Sequence, residues 1–388
     1  MNICILTPRF PYPQYGGDAL RINEIARHLK AKGHKLILVS MSDTANPPIS
    51  QAQELYDKIY FIKRSKISSL IMGVFHFVSG KPIQCGYYYS KSYKTLLKKA
   101  VDTEQPELYI SHLLRMVPYL KELKLEHKSI IEMTDALSKT YLLSSKAKGV
   151  GLLKYVYILE QSLIAKYEKL VIKDFRKVVL VSQADIDYLK NNIPGNTSSL
   201  TLHSNGVGYI ENIPASYDSD KICFMGNMRS MQNQDAAIYF AKEIFPLIRQ
   251  KRPTAKFYIV GSLPPANIQA LASDDIIITG FVDNLEDFIK DSCLMVAPIR
   301  VAAGIQNKVL VAMGCGIPVV MTSLISHAIP ELIDGENCLI RDGDQPFADA
   351  CLMLMSDTSL RNPMARKGYG MVKSLYSWHE KLKGYEEF

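Results

Sequence analysis

The sequence predicts an α/β protein of two doubly wound domains, and three observations carry that prediction. The chain has 388 residues, more than a single hydrophobic core usually holds. It opens with a strand, loop, helix, strand unit, which implies a parallel sheet. Its second half alternates short apolar strand segments with helical patterns.

Asn2–Thr7 is a short apolar strand, followed by a Pro- and Gly-rich loop, Pro8–Gly17. Leu20, Ile22, Ile25, Ala26 and Leu29 recur at helical spacing within Ala19–Lys32, and Gly33 stands where a helix-ending glycine belongs. Strands follow at Lys35–Ser40, Ile59–Lys63, Leu108–Ser111, Ser129–Met133 and Val178–Ser182, with a long helical stretch from Leu152 to Phe175. Asn191–Asp220 is rich in Asn, Pro, Gly and Ser and marks the domain boundary. Beyond it, strands are predicted at Lys221–Met225, Lys256–Val260, Ile276–Thr279, Leu294–Ala297, Pro318–Thr322 and Asn337–Ile340, with helices at Gln234–Lys251 and Asn307–Met313. Pro363–Phe388 closes the chain, mostly as helix.

The seven cysteines are scattered without a CxxC pair, and several lie in apolar runs. They read as small buried hydrophobes in a reducing compartment, not as a disulfide frame or zinc site. No signal peptide and no run of about 18 uncharged apolar residues is present, so the expected location is the cytoplasm. Charge is uneven: residues 1–200 hold 29 Lys and Arg against 17 Asp and Glu, a net +12, whereas the remainder is net −4. A basic first half points to an anionic partner there, or to a plain solvated surface.

Ligands of open α/β sheets bind beyond the carboxyl ends of the strands. After the first strand come Gly16 and Gly17, directly before a helix, where backbone N–H groups and the helix N-terminus favour an anion. There is no GxGxxG, which argues against a dehydrogenase. After Lys221–Met225 come Gly226, Asn227 and Arg229, a loop in which a guanidinium fork can meet a phosphate. After Ile276–Thr279, Gly280, Phe281 and Val282 offer backbone to a nucleobase edge; for Phe281 itself a packed side chain is the commoner outcome. Lys308 lies in the first turn of the helix from Asn307, unfavourable against the helix dipole unless an anion sits there.

Taken together, these segments resemble the retaining GT-B glycosyltransferases of the family-4 type, the glycosyltransferase group 1 enzymes. The resemblance spans nearly the whole chain. Its strongest element is GIQNKVLVAMGCGIPVV at 304–320, joined by YPQYGG at 12–17, SNGV at 204–207, FMGNM at 224–228, PTAKFYIVG at 253–261, ITGFVDNLEDFIKDSCLMVAP at 278–298 and YSW at 376–378. It implies two Rossmann-like domains facing an interdomain cleft. Residues 1–203 would bind the acceptor, with helix 375–388 packing back on them, and residues 204–374 would bind the donor. The resemblance implies no cofactor and no catalytic metal, a UDP- or GDP-sugar as donor substrate, and no nucleic-acid partner. Gly16, Gly17, Gly226, Asn227, Gly280, Phe281, Val282, Gly304, Ile305, Gln306, Asn307 and Val311 match donor-binding positions, and Lys308 and Arg229 match the basic positions that hold the diphosphate. Asp135 matches the place where many members set a His or Asp facing the sugar; it also reads as a helix N-cap. His112 reads as a packed or capping residue.

One departure stands out. Two glutamates usual in the family are replaced by Ala303 and Val311. Losing a charged acceptor for a ribose hydroxyl costs about 1.5–3 kcal/mol, roughly 10- to 150-fold in affinity. The implied acceptor is a lipid-linked or oligosaccharide substrate of bacterial surface polysaccharide synthesis. Residues 63–99 combine Lys63, Arg64, Lys66, Lys81, Lys91, Lys94, Lys98 and Lys99 with Leu70, Ile71, Phe75, Phe77 and Tyr87–Tyr89, which suits either an anionic membrane surface or a core-facing segment. A non-catalytic GT-B scaffold protein and a GT-B epimerase are the competing readings.

Overall fold

The computed structural model describes residues 1–14, 16–146, 153–300 and 306–387. The chain divides into two compact units, Met1–Asn205 with Lys381–Phe388, and Gly206–Glu380. The expected α/β class is found in both.

The first unit is built on β1 (Asn2–Thr7), β2 (Lys35–Ser42), β3 (Lys58–Lys63), β4 (Leu108–His112), β5 (Ser129–Thr134), β6 (Lys177–Leu180) and β7 (Leu200–Leu202). All are parallel, in the order β3-β2-β1-β4-β5-β6-β7. Helices cover both faces, so the middle strands read as continuous apolar runs and Ile3 to Leu6 are fully buried. The strand order reverses between β1 and β4, which opens a crevice beyond their carboxyl ends. Strand β7 falls inside the segment expected to be linker; three residues after a Pro-Gly-Asn turn carry too little pattern to be read as a strand. The long helix is Leu153–Asp174, and two of its glutamates serve other helices. Glu160 accepts from the N–H groups of Ile83 (3.0 Å) and Gln84 (3.2 Å). Glu168 accepts from the Ser138 N–H (3.2 Å) and hydroxyl (2.5 Å). Glu168, not Asp135, therefore satisfies the first turn of helix Leu137–Lys146.

Segment 63–99 is part exposed and part core-facing. Leu70, Ile71 and Phe75 are exposed on helix Lys66–Val78, whereas Tyr88 is buried and Tyr87 and Tyr89 pack against the core.

The second unit contains β8 (Asp218–Met225), β9 (Lys256–Val260), β10 (Ile276–Gly280), β11 (Ser292–Ala297), β12 (Val319–Met321) and β13 (Leu339–Ile340). They form a parallel sheet in the order β10-β9-β8-β11-β12-β13, reversing between β8 and β11. The helix expected over Gln234–Lys251 is helix Met231–Tyr239, a π-helical turn Phe240–Ile244, and helix Phe245–Lys251. Pro246 has no N–H to donate four residues back, and the wide turn accommodates it. All seven cysteines are buried and free.

Candidate active site

Each unit gathers polar side chains beyond the carboxyl ends of its strands, where the order reverses. In the first unit, Arg9, Gly17, Asp18, Arg21, Arg115, Thr134, Asp135 and Asn205 line a cleft of about 350 Å³. Gly16 precedes helix Gly17–Ala31 with φ 90°, a conformation open to glycine but strained for other residues, and no side chain caps that helix. Asp135 follows β5 and keeps contact with water at the cleft. Desolvation and then the nearby Asp185 raise its pKa, while Arg21 and Lys139 pull it back. Behind it, Arg21 is locked. Its Nε and Nη2 donate to the two Glu132 oxygens at 2.9 and 3.1 Å, its Nη1 donates to Asn205 Oδ1 at 2.9 Å, and the Tyr385 hydroxyl also donates to Glu132.

Three further features here leave no mark in the sequence pattern. Leu113 and Thr134, at the ends of β4 and β5, have φ of 70° and 69°. Backbone strain of this kind in non-glycine residues is characteristic of functional sites. His112 ends β4 with both ring nitrogens buried and unpartnered among the described residues, so it is not a capping residue. Burial pushes its pKa down to about 3, leaving a neutral imidazole. It lines a small cavity beside Arg9 and Asp18.

In the second unit, Gly226 and Asn227 turn the chain after β8. A Cβ on Gly261 would lie 1.8 Å from the Gly226 carbonyl oxygen, so the loops after β8 and β9 are in backbone contact and only glycine fits. The Asn227 side chain accepts from the Arg229 N–H (3.0 Å) and shapes this turn, while Arg229 itself is exposed. Lys308 comes from helix Asn307–Gly314. Its Nζ donates to Asn233 Oδ1 and stands 5.0 Å from the centre of the Phe224 ring. Burial lowers its pKa to about 8, and among the described residues it has no carboxylate partner. Asn233 also donates to the Asn227 carbonyl (2.9 Å), so it ties the loop to the lysine. The signal for Asn233 was present: it shares helical spacing with Ala236, Ala237 and Phe240 on the buried face.

Phe281, following β10, is 69% exposed, contrary to the packed side chain favoured by the sequence; Val282 packs against the core. Gln306 is buried, Asn307 is exposed and Val311 is partly buried against the core. Gly304, Ile305 and Ala303 lie outside the described residues, as does Tyr15 of the YPQYGG motif.

Residues 219–357 match the family model described as Glycosyl transferases group 1. That similarity covers about a third of the chain, all of it in the second unit. The second-unit candidates, Gly226 through Val311, fall inside that matched segment, and Gly16, Gly17 and Asp135 lie outside it. No curated protein is similar to the chain in sequence. Solved structures are similar over its whole length. HepE from Anabaena in complex with UDP is 14% identical, with a TM-score of 0.60 over 100% of this chain and 99% of that one. WaaG, a glycosyltransferase involved in lipopolysaccharide biosynthesis, is 13% identical, with a TM-score of 0.60 over 99% of each chain. TarM is 14% identical, with a TM-score of 0.61 over 99% of this chain and 98% of that one. The chain has the GT-B fold.

Proposed function

We propose that the chain is a retaining, metal-independent glycosyltransferase that moves a sugar from a UDP- or GDP-sugar to a lipid-linked or oligosaccharide acceptor in bacterial surface polysaccharide synthesis. The observation that carries this reading is Lys308, a partly buried cation with no carboxylate partner among the described residues, beside the backbone turn after β8. A donor diphosphate would supply its missing counter-charge, with Arg229 as a second, solvent-side contact. Gly280, Phe281 and Val282 would receive the base, the exposed Phe281 ring offering it a stacking face. The group 1 glycosyltransferase match at 219–357 and the UDP in the Anabaena HepE structure support the donor class.

On the acceptor side, Gly17 and Asp135 border the first-unit cleft, with Gly16 capping the helix that Gly17 begins. The acceptor hydroxyl oxygen bonds to the anomeric carbon on the face from which the diphosphate oxygen departs. That diphosphate takes the hydroxyl proton, and Asp135 holds the incoming hydroxyls.

The membrane part of the proposal rests on helix Lys66–Val78. Ile67, Leu70, Ile71, Val74, Phe75 and Val78 occupy one face and are 62–80% exposed, flanked by exposed Lys63, Lys66 and Lys81. An apolar stripe with basic flanks suits the surface of an anionic bilayer at the cytoplasmic face. No helix among the described residues is long and apolar enough to cross a membrane.

Lys308→Ala tests the central claim. It should lower turnover about 100- to 1000-fold while leaving the melting temperature close to that of the unaltered chain. Unchanged turnover would remove the lysine from the reaction. Val311 favours a second reading, a non-catalytic scaffold. Thermal shifts against UDP-, GDP- and CMP-sugars separate the two, since silence with every donor supports the scaffold.

A further inference from the structure

A second cleft of the first unit, about 190 Å³, lies at the carboxyl ends of β2 and β3. Arg64, Ser65, Ser68, Tyr87, Ser90 and Ser92 are among its walls. Arg64 is the unusual member. Its side chain is only 9% exposed, yet its Nη1 has no hydrogen-bond partner among the described residues. The guanidinium is otherwise held: Nε and Nη2 donate to Asp43 Oδ1 at 3.1 and 2.6 Å, and its carbon stands 4.8 and 4.9 Å from the Tyr87 and Tyr88 ring centres. Such a fork is fixed in place, so its charge is held at the cleft without further ordering.

Tyr88 joins this cleft to the one that holds Asp135. Its hydroxyl accepts from Arg9 Nε at 3.2 Å, and the Arg115 guanidinium stands 5.1 Å from its ring. Arg9 and Arg115 both line the Asp135 cleft. Arg9 stands 3.7 Å from Asp18 and Arg64 pairs with Asp43, whereas Arg115 is bonded to the neutral Gln84. Three guanidinium groups thus surround one tyrosine against two carboxylates, and exposed Lys63, Lys66 and Lys91 add positive charge nearby. The serine hydroxyls and the tyrosine faces are the groups that recognise a sugar ring.

We infer that this cleft binds a negatively charged sugar unit of the acceptor, a phosphate- or carboxylate-bearing residue away from the reacting hydroxyl. The inference rests on the reading of the first unit as the acceptor side. Arg64 supplies the positive charge at the cleft wall, Tyr87 a flat face, and Ser65, Ser68, Ser90 and Ser92 hydroxyl contacts.

The test is titration calorimetry of the full chain with glucose 6-phosphate, glucuronic acid and glucose as probes, in low and high salt. Both anionic probes should bind at least about tenfold more tightly than glucose, with the advantage shrinking in salt. A preference for only one of them identifies the anion as phosphate or carboxylate. Arg64→Gln should erase the advantage and Arg64→Lys should restore part of it. Ser68→Trp, at an exposed position, fills the cleft without removing a buried charge and should block all three probes. Equal affinity for charged and neutral probes, or wild-type binding by both Arg64→Gln and Ser68→Trp, overturns the inference. Failure of the functional reading looks different: probes would bind as stated while no nucleotide-sugar supports transfer. Transfer to a neutral acceptor without any probe binding would instead spare the function and remove this cleft.

Discussion

Beyond β8 the backbone does most of the shaping. Gly226 and Gly261 touch through main-chain atoms, Asn227 closes its own turn, and Lys308 supplies the buried charge. Beyond β4 and β5 the shaping falls to side chains and to non-glycine residues in left-handed conformations: Leu113, Thr134, and the locked set of Arg21, Glu132, Asn205 and Tyr385. On the proposed function the second unit holds a nucleoside diphosphate, which presents the same phosphates whatever the sugar, and backbone N–H groups with one cation suffice for it. An acceptor differs from enzyme to enzyme, and a site built from side chains can differ with it. The two regions therefore respond differently to substitution.

The largest effect should come from the side-chain-built region. Glu132→Ala leaves the Arg21 guanidinium buried without its carboxylate, and breaking a buried pair in this way costs about 3–5 kcal/mol. Denaturant unfolding of the full chain should show one transition moved to much lower urea and the other in place. A loss under about 1 kcal/mol would mean that water replaces the carboxylate and that the first unit is less rigid than its hydrogen bonds imply.

Glu168 gives the same region a pH dependence. Its carboxyl is fully buried, and desolvation raises its pKa to about 7 despite its bonds to Ser138. The folded state therefore holds this proton more tightly than the unfolded chain. The associated stability is complete below about pH 4.5 and disappears as pH rises through 7. The change across that window is about 3 kcal/mol. Glu168→Gln should flatten the slope of stability between pH 5 and 8; an unchanged slope would place its origin elsewhere.

Asp135→Asn tests whether the first-unit cleft acts on the reaction rather than on the donor. Turnover should fall about 100-fold while the dissociation constant for the nucleotide-sugar stays within about twofold. Equal losses in both would make Asp135 a donor-binding residue and blur the division between the units.

The two regions also differed in how far the sequence revealed them. Gly226 and Gly280 stand at the ends of apolar strands and Lys308 opens the helix after β11, so strand and helix patterns plus the rule that ligands bind beyond strand ends were enough to find them. His112 was visible as a residue but not as an unpartnered one, because hydrogen-bond satisfaction depends on neighbours from Pro8–Ile22 that a strand pattern does not specify. The positive φ of Thr134 leaves no trace in residue type, since a β-branched residue is the last one expected there. The Arg21–Glu132 pair joins positions 111 residues apart and lay beyond any local pattern. Likewise the apolar residues of 63–99 were legible, but which of them face water was not: helix Lys66–Val78 turns one face outward while Tyr88 turns into the core.

The smallest predicted effect probes the backbone-built region where the sequence departs from the pattern it resembles. Val311 is partly buried, one turn from Lys308 on the same helix, and residues three apart share a face. A carboxylate introduced by Val311→Glu has two partners within reach. If the ribose passes over this face, the carboxylate accepts from its hydroxyls, and donor affinity should rise about tenfold. If the face is empty, the carboxylate pairs with Lys308 and competes with the diphosphate, and donor affinity should fall. The Lys308 titration separates these cases as well, because a Lys308 ion pair would raise its pKa from about 8 toward the ordinary lysine value. Tighter donor binding with Lys308 still titrating near 8 supports the donor pose proposed for the second unit. Weaker binding with a raised Lys308 pKa would move the ribose off this helix and leave the lysine as the only link between helix Asn307–Gly314 and the nucleotide.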